Sequence, residues 1–374
     1  MLEHPAPPAP EVYCNQRPRM DITEHLARLP KAELHLHMEG AIRPETLLLL
    51  AERNRIRLPF TSPEQLDPLL NYREFRDFIR VFLMFVGCLR RPEDFAEVIL
   101  RLGAGMNQQN IRYAEITWTP QLYLGLGIPL QAILDALNHG RTRARSEWGV
   151  EMRWIPDLVR SVPGPARQVV DWLCSDAARD CGVVALGLGG PEAGYPAAPF
   201  AAAFARARDA GLASNPHAGE NAGPESVREA LRVLGAQRLG HGVRSIEDDK
   251  LVAYLAAHQV ALEVCPTSNL RLGVYPSYGE HPLKRLVAAG CRVTINSDDP
   301  VLFGTTLTDE YRHAVSDCGL TIEDIERSIL AALAASYLPD DDKRQMTTAF
   351  QHDFAQLRAG DRPVLPPADS TGFA

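Results

Sequence analysis

Histidine and acidic residues recur along this chain in short groups whose types fit a catalytic metal site. His35 and His37 end one apolar stretch, and side chains at positions i and i+2 of a strand point to the same face. Further groups follow downstream: His217-Ala218-Gly219-Glu220, Gly240-His241-Gly242 and Ser297-Asp298-Asp299-Pro300. Three imidazoles and one carboxylate form a ligand set that zinc accepts, with room for a water whose pKa the metal lowers. The predicted ligands of a single zinc ion are His35, His37, His217 and Asp298.

Three groups beside these ligands could move protons. Glu220 follows His217 by three residues, where a carboxyl can pass a proton between an attacking water and a substrate. His241 lies between two glycines and could orient that water, and Asp299 could face the substrate. Each has a structural alternative: a helix N-terminal charge for Glu220, a buried imidazole bonded to a carbonyl for His241, and a turn for Asp-Asp-Pro. Because all three residues follow apolar stretches, we favour the catalytic interpretation over the structural ones.

Eight short apolar stretches alternate with longer amphipathic ones, which indicates parallel strands joined by helices. The predicted strands are Ala32–His37, Arg112–Trp118, Met152–Asp157, Val183–Leu188, Leu212–His217, Arg238–His241, Ala261–Val264 and Arg292–Ile295. Eight such units fit an α/β fold of the closed (β/α)8 TIM-barrel type, whose active sites form at the carboxyl ends of the strands. The predicted site residues lie at or just beyond the ends of strands one, five, six and eight. Extra helices are expected between strands one and two and at the C-terminus.

A single catalytic barrel domain is predicted over residues 21–362. Pro-rich or polar composition predicts flexible tails at residues 1–20 and 363–374. An open doubly wound sheet would need a Gly-rich phosphate turn, and the one candidate, Gly187-Leu188-Gly189-Gly190-Pro191-Glu192, does not match GxGxxG. Amphipathic stretches such as Pro224–Leu234 and Asp248–His258 are predicted helices between the strands.

Composition limits the class of function. The chain has 374 residues, 45% of them hydrophobic, and a net charge of −8 without a basic stripe, which disfavours a nucleic-acid partner. No apolar run approaches the roughly 20 residues needed to cross a bilayer, so no membrane partner is expected. Seven cysteines without a CxxC pair predict free thiols in a reducing cytoplasm. A homo-oligomer is left open.

Five ordered motifs then match a known family. They are Pro30-Lys31-Ala32-Glu33-Leu34-His35-Leu36-His37, His217-Ala218-Gly219-Glu220, Leu239-Gly240-His241-Gly242, Cys265-Pro266-Thr267-Ser268-Asn269 and Asn296-Ser297-Asp298-Asp299-Pro300. From about Leu29 to about Leu357 the chain resembles the adenosine/adenine deaminases of the amidohydrolase superfamily. The resemblance implies one zinc on the four predicted ligands, Glu220 protonating purine N1, and His241 with Asp299 positioning and deprotonating the water. Attack at C6 of a 6-aminopurine then expels ammonia.

The substrate signals conflict. Glu39 occupies a position where adenosine deaminases typically have Asp near the ribose 5′-hydroxyl. Relatives with Glu there include adenine deaminases and deaminases of 5′-modified nucleosides such as aminodeoxyfutalosine. Gly190 resembles the turn that offers a backbone N–H to purine N3 in nucleoside deaminases. We therefore expect a 6-aminopurine nucleoside, adenosine, 2′-deoxyadenosine or a 5′-modified adenosine, with aminodeoxyfutalosine or free adenine as alternatives.

A Phe-rich segment, Tyr72–Leu89, is expected to lie near the substrate. Phe78 and Phe82 have helical spacing, so they predict either a buried helix face or an apolar lid that excludes water, and the two can coexist. A benzoate-bearing substrate would need an arginine, and the candidates are Arg73, Arg76 and Arg271. The rival functions are another metal-dependent hydrolase on the same barrel and a zinc-binding regulatory barrel without activity.

Overall fold

Eight parallel strands in chain order form the centre of the computed structural model, which describes residues 21–72 and 75–360. The predicted tails, residues 1–20 and 363–374, and Arg73 lie outside the described residues. The strands are β1 Lys31–His37, β2 Ile111–Trp118, β3 Glu151–Val159, β4 Ala185–Gly189, β5 Ala213–Ala218, β6 Arg238–His241, β7 Ala261–Val264 and β8 Arg292–Ile295. Each strand pairs with the next, and nearly all of their residues are buried, as in a sheet covered on both faces.

Hydrogen bonds between β1 and the segment after β8 bring the two ends of the sheet together. The His37 amide donates to the Asp298 carbonyl at 2.8 Å, and the Asp298 amide donates to the His35 carbonyl at 3.1 Å. The result is a nearly closed eight-stranded barrel, which confirms the predicted (β/α)8 fold. The bonds that join the ends run between three of the predicted metal ligands.

The predicted strand boundaries are close to the observed ones. Those of β6, β7 and β8 are confirmed, and β1, β2, β3 and β5 shift by one or two residues. The prediction was wrong at the start of β4, because Val183 makes only an isolated bridge to Trp154 as the chain leaves a turn at Gly182. Glycine at 182 has a φ of +92°, a conformation that side chains with a Cβ rarely adopt.

Helices surround the barrel. They are α1 Ile22–Arg28, α2 Pro44–Arg53, α3 Phe75–Gly87, α4 Pro92–Gln108, α5 Leu130–Trp148, α6 Ala166–Leu173, α7 Asp176–Asp180, α8 Ala201–Asp209, α9 Pro224–Glu229, α10 Asp249–His258, α11 Pro266–Arg271, α12 Leu283–Ala288, α13 Pro300–Phe303, α14 Leu307–Ser316, α15 Ile322–Ala335 and α16 Asp340–Arg358. Three of them separate β1 from β2, and four follow β8. The extra helices predicted at both places are therefore present.

Two predicted helices begin or end differently from the sequence expectation. The helix predicted over Pro224–Leu234 is α-helical only to Glu229 and continues as a π-helix over Ala230–Leu234. Asp248 is the cap of α10 rather than its first residue, because its side chain accepts the amides of Lys250 and Leu251. A capping carboxylate satisfies amides that a helix start otherwise leaves unpaired.

No helix in the described ranges has the length and apolar composition needed to cross a membrane. The six cysteines among the described residues are free thiols, as expected from the absence of a CxxC pair.

A buried arginine joins three strands below the carboxyl ends of the barrel. Arg238 on β6 is 2% exposed, and its guanidinium contacts Glu115 of β2 and Glu263 of β7 at 2.6 Å each. Its charge also lies over the ring of Tyr337, 4.0 Å from the centroid. Buried ions are costly unless they are paired, so each of these charges depends on the others.

Replacing Arg238 by Met should cost about 3–5 kcal/mol of unfolding free energy, because two buried carboxylates lose their counter-ion. Arg143→Met is the control, since the Arg143–Glu147 pair is exposed and should contribute at most about 1 kcal/mol. Denaturant unfolding of both variants measures the difference. Equal losses in the two variants would contradict this account of the barrel interior.

Candidate active site

The four predicted metal ligands meet at the carboxyl ends of the strands. His35 and His37 extend from β1 on the same face, His217 from β5, and Asp298 follows β8. One nitrogen or oxygen from each of the four lies within 4.8 Å of the others, and all four residues are buried. His37 Nε2 is 3.1 Å from His217 Nε2, and Asp298 Oδ1 lies 3.3–3.4 Å from the Nε2 atoms of His37 and His35.

Asp298 is held in place by its backbone. Its φ of +63° is unusual for a residue with a side chain, and such conformations persist only where the surroundings impose them. Here the surroundings are the two hydrogen bonds with β1 that bring the barrel ends together. The position of this carboxylate therefore depends on correct pairing of the first and last strands.

Glu263 fixes the orientation of the His35 ring. His35 Nδ1 lies 3.0 Å from Glu263 Oε2, so Nδ1 carries the proton and donates it. The other nitrogen, Nε2, is buried and has no hydrogen-bond partner among the described residues. A metal-binding histidine typically donates its second N–H to a carboxylate in this way. Glu263 is itself held by Arg238 and by the side-chain amide of Asn215.

The electrostatics of the cluster favour a cation. Burial lowers the pKa of His37 to about 4 and that of His217 well below its ordinary value, so both imidazoles are neutral. Burial would lower the pKa of His35 too, but Asp298 and Glu263 outweigh it and raise that pKa to about 10. Metals bind neutral imidazoles and ionised carboxylates, so His37, His217 and Asp298 are already in the binding form, whereas His35 must release one proton when a metal ion binds. The donor set and the unpartnered His35 Nε2 fit a divalent ion such as zinc.

A second group of donor atoms, from His241, Cys265 and Asp298, overlaps the first. Burial raises the pKa of the Cys265 thiol well above its ordinary value, so it stays protonated. Metals bind the thiolate rather than the thiol. The chemistry of the side chains therefore favours one metal position, on His35, His37, His217 and Asp298.

The predicted acid lies beside this cluster. Glu220 follows the end of β5, and its Oε1 is 3.8 Å from His241 Nε2. Burial, together with the carboxylates of Asp298 and Glu192, raises the pKa of Glu220 to about 8. A carboxyl with that pKa is largely protonated at neutral pH and can donate a proton.

A relay of hydrogen bonds sets the tautomer of His241. The Leu283 amide donates to His281 Nδ1 at 3.2 Å, and His281 Nε2 donates to Asn269 Oδ1 at 3.0 Å. The Asn269 amide then donates to His241 Nδ1 at 3.3 Å. Because Nδ1 accepts, the proton of neutral His241 lies on Nε2, which points between Glu220 and Asp298.

Asp299 lies next to the ligand Asp298. Burial and the Asp298 charge raise the pKa of Asp299 well above its ordinary value, and its Oδ1 lacks a partner within the described ranges. A methyl group added to Gly40 would overlap the Asp299 carboxylate, so glycine is required where the chain turns past it. The motif Met38-Glu39-Gly40 therefore provides space for this carboxylate.

A cavity of about 470 Å³ opens over the cluster. Polar groups form its floor, and its walls are apolar side chains from α3 and from the loops after β2, β3 and β4. The wall and rim residues include Phe78, Ile79, Phe82, Leu122, Val162 and Tyr195. Phe78 is buried and stacks on Phe303 at 5.2 Å, whereas Phe82 is half-buried. The predicted Phe-rich segment is thus both a packed helix face and a wall of the cavity.

Of Gly190 and Glu39, which are both predicted to contact the substrate, Gly190 is among the described residues that line the cavity and Glu39 is not. Gly190 has a φ of +89°, which favours glycine. Glu39 is fully buried and accepts bonds from the Thr119 amide at 3.2 Å and the Tyr123 hydroxyl at 2.9 Å. Its Oε2 has no partner in the described part of the chain, and burial raises its pKa to about 7.

The two described arginines that could bind a benzoate, Arg76 and Arg271, lie in different places. Arg76 on α3 lines the cavity, whereas Arg271 donates to the carbonyl of Leu70 at 2.6 Å. Within the described residues that line the cavity, Arg76 is the only lysine or arginine. It therefore supplies the positive charge at the cavity rim.

Sequence reasoning missed four residues of this site: Asp157, Glu192, Arg238 and Glu263. Asp157 lines the cavity below His217, with 3.8 Å between Oδ2 and Nδ1, and methyl groups on Gly187 or Gly189 would collide with it. A charged residue inside an otherwise apolar strand was the available signal for Asp157, Arg238 and Glu263.

Comparison with known proteins places the chain among deaminases. The family model described as adenosine deaminase matches residues 30–352. An aminodeoxyfutalosine deaminase of Streptomyces avermitilis is 42% identical over 319 residues, covering 84% of this chain and 87% of the relative. An adenine deaminase of Cupriavidus necator is 34% identical, covering 93% of this chain and 97% of the relative.

A solved structure supports the metal assignment. An amidohydrolase from Burkholderia ambifaria with bound zinc superposes with a TM-score of 0.83 at 26% identity, covering 92% of this chain and 96% of that one. Together with the buried His/Asp cluster, this similarity indicates a divalent metal in the present site.

Replacing Glu263 by Gln should weaken zinc binding by about 10- to 100-fold, because the carboxylate that orients His35 is lost. Glu310→Gln is the control, since Glu310 is equally buried but bonds Thr267 and Thr305 rather than a ligand. Competition with a chromophoric chelator gives both affinities. Equal affinities for the two variants would remove Glu263 from the metal site.

Proposed function

The chain belongs to the adenosine deaminase family, and on that premise we propose that it hydrolyses the 6-amino group of aminodeoxyfutalosine, an adenine nucleoside with a benzoate at its 5′ end. The coarser statement, a hydrolytic deaminase of a purine-type substrate, follows from the family. The observation that carries the finer proposal is that the cavity over the cluster has apolar walls and that Arg76 is the one lysine or arginine among its described lining residues. Unmodified adenosine, which the sequence favoured equally with a 5′-modified adenosine, has no benzoate for Arg76 to bind.

Cavity size supports a large ligand. A volume of about 470 Å³ falls within the roughly 300–1,000 Å³ of pockets that enclose drug-sized molecules. Phe82, Ile79 and Val162 offer the apolar contacts that an aryl group would need. An arginine can bind a carboxylate through two parallel hydrogen bonds, so Arg76 suits the benzoate.

The metal ligands come first in the proposed chemistry. His35, His37, His217 and Asp298 would hold one zinc ion per subunit, which when bound lowers the pKa of a water to about 7 and supplies the nucleophile. His241 donates its Nε2–H to the oxygen of that water and so orients it. Asp299, whose pKa burial raises, accepts the proton that the water loses.

Glu220 completes the proton transfers. The water oxygen bonds to C6 while the Glu220 carboxyl protonates N1. The bond between C6 and the amino nitrogen then breaks, and the amino group leaves as ammonia with the proton that Asp299 accepted. The proton left on the C6 oxygen is released, and Glu220 takes up one proton in its place, which restores the acid. The 6-oxopurine remains. Gly190 offers its backbone N–H to purine N3, and Glu39 acts at the sugar through the Thr119 that it holds.

Free adenine is the second candidate substrate. It is favoured by the name of the Cupriavidus necator relative. It is also favoured by the burial of Glu39, which is not itself among the described residues that line the cavity. Adenine would occupy only the floor of the cavity and would not need Arg76.

A substrate panel distinguishes the candidates. Ammonia release from aminodeoxyfutalosine should exceed that from adenosine and adenine. Arg76→Gln should raise KM for aminodeoxyfutalosine about tenfold to a hundredfold, because a charged hydrogen bond is lost, and should leave KM for adenosine unchanged.

Arg80→Gln is the matched control, because Arg80 lies one turn further along α3 and is 72% exposed beside Asp77. Its KM values should equal those of the wild type. Turnover confined to adenine would overturn the nucleoside proposal in favour of the second candidate. An unchanged KM in Arg76→Gln would remove Arg76 from substrate binding.

Gly40→Ala should lower kcat about 100-fold, because the added methyl group displaces the Asp299 carboxylate. Gly125→Ala is the control: both glycines lie in 3-10 helices, but a methyl group at 125 meets nothing within 4 Å. Steady-state kinetics on the best purine compare the two. Wild-type kcat in Gly40→Ala would mean that the position of Asp299 does not limit the reaction.

A further inference from the structure

Two loops at the carboxyl ends of β4 and β5 are tied together by one side chain. Glu192, in the loop after β4, is 5% exposed. Its Oε1 accepts the amides of Glu220 at 2.8 Å and Asn221 at 3.0 Å, and its Oε2 accepts the amide of Gly219 at 2.7 Å. The hydroxyl of Ser226 donates to the same Oε2. Three amides from the loop after β5 and one hydroxyl from α9 thus converge on one carboxylate.

The tie is reciprocal. Asn221 Oδ1 accepts the amides of Glu192 at 3.0 Å and Ala193 at 3.4 Å. The Asn221 side-chain amide also donates to Glu220 Oε2 at 3.3 Å. Each loop therefore satisfies the backbone of the other, and one of these bonds reaches the acid itself.

The arrangement constrains the loop that carries Glu220. Gly219 has a φ of +74°, and a methyl group there would lie 2.5 Å from the Val227 side chain, so this turn has little room to shift. A buried carboxylate is costly unless its oxygens are hydrogen-bonded, and four donors meet that need here. Moving the backbone of residues 219–221 would take three of these donors away from the Glu192 carboxylate.

We propose that Glu192 is a positioning residue that holds the Glu220 carboxyl in register with the Gly190 turn, so that both contact one edge of the purine. Purine N1 and N3 lie on the same side of the six-membered ring, and the two loops would meet them from the ends of β5 and β4. This inference rests on the proposed function, because Gly190 and Glu220 face that edge only if the substrate is a purine.

A double-mutant cycle tests the proposal. Glu192→Gln should lower kcat on the best purine about 100-fold with zinc content and KM close to those of the wild type, because the acid is misplaced. Glu220→Gln should lower kcat about 10²–10⁴-fold. If Glu192 acts through Glu220, adding Glu192→Gln to the Glu220→Gln variant should change kcat less than twofold, since residues in one network are not additive. Hydrogen exchange of the amides of residues 219–221 should quicken in Glu192→Gln.

Two further variants keep the test decisive. Glu229→Gln is the control, because Glu229 accepts the Ala197 and Ala198 amides at the far end of the same loop and touches none of residues 219–221. It should retain wild-type kcat whatever its effect on thermal stability. Ser226→Ala removes one of the four donors and should lower kcat about twofold to tenfold, which serves if Glu192→Gln fails to fold.

The outcomes separate the two ideas. The Glu192 inference alone is overturned if the wild type releases ammonia but Glu192→Gln lowers kcat by the same factor in the wild type and in the Glu220→Gln variant. It is also overturned if Glu192→Gln retains wild-type kcat. Absence of ammonia from the wild type with every purine overturns the proposed function, and this inference with it.

Discussion

The site depends on one buried charge chain, from Arg238 through Glu263 to His35. The guanidinium neutralises the carboxylate, the carboxylate accepts a hydrogen bond from Nδ1–H of the imidazole, and Nε2 is left to bind a cation. Each member is fully buried, so none can be removed without stranding the charge or polarity of the next. These three side chains also join β6 and β7 to β1, so the interactions that hold the strands together orient His35, the first metal ligand.

Negative charge is concentrated above this chain. Asp298, Asp299 and Glu220 lie within one buried region, where burial and the Asp298 charge raise the pKa values of Asp299 and Glu220. Asp298 remains ionised because the surrounding histidines stabilise it, whereas Asp299 and Glu220 have raised pKa values and hold protons more readily. The environment alone thus separates one ionised carboxylate, Asp298, from two carboxyl groups whose pKa values are raised.

The sequence was sufficient for the barrel and for the residues at its strand ends. Alternating apolar stretches located β6, β7 and β8 to the residue, and the groups around His35, His217 and Asp298 predicted which side chains meet. Glu192 could not be found in this way, because its role comes from four donors in the loop after β5 and in α9. The Gly187–Glu192 turn was interpreted through Gly190 alone, although its other glycines make room for Asp157. The roles of Glu192 and Asp157 come from contacts between segments that are distant in the sequence, so no local sequence pattern predicts those roles.

The central claim is that one metal and Glu220 act on the same 6-aminopurine. It is tested most directly by a crystal structure of the zinc-loaded Glu220→Gln protein with aminodeoxyfutalosine, since loss of the acid should leave the substrate intact. The account predicts one ion on His35, His37, His217 and Asp298, with N1 facing residue 220 and N3 facing the Gly190 amide. An ion bound elsewhere, or a purine with N1 turned away from residue 220, would contradict it.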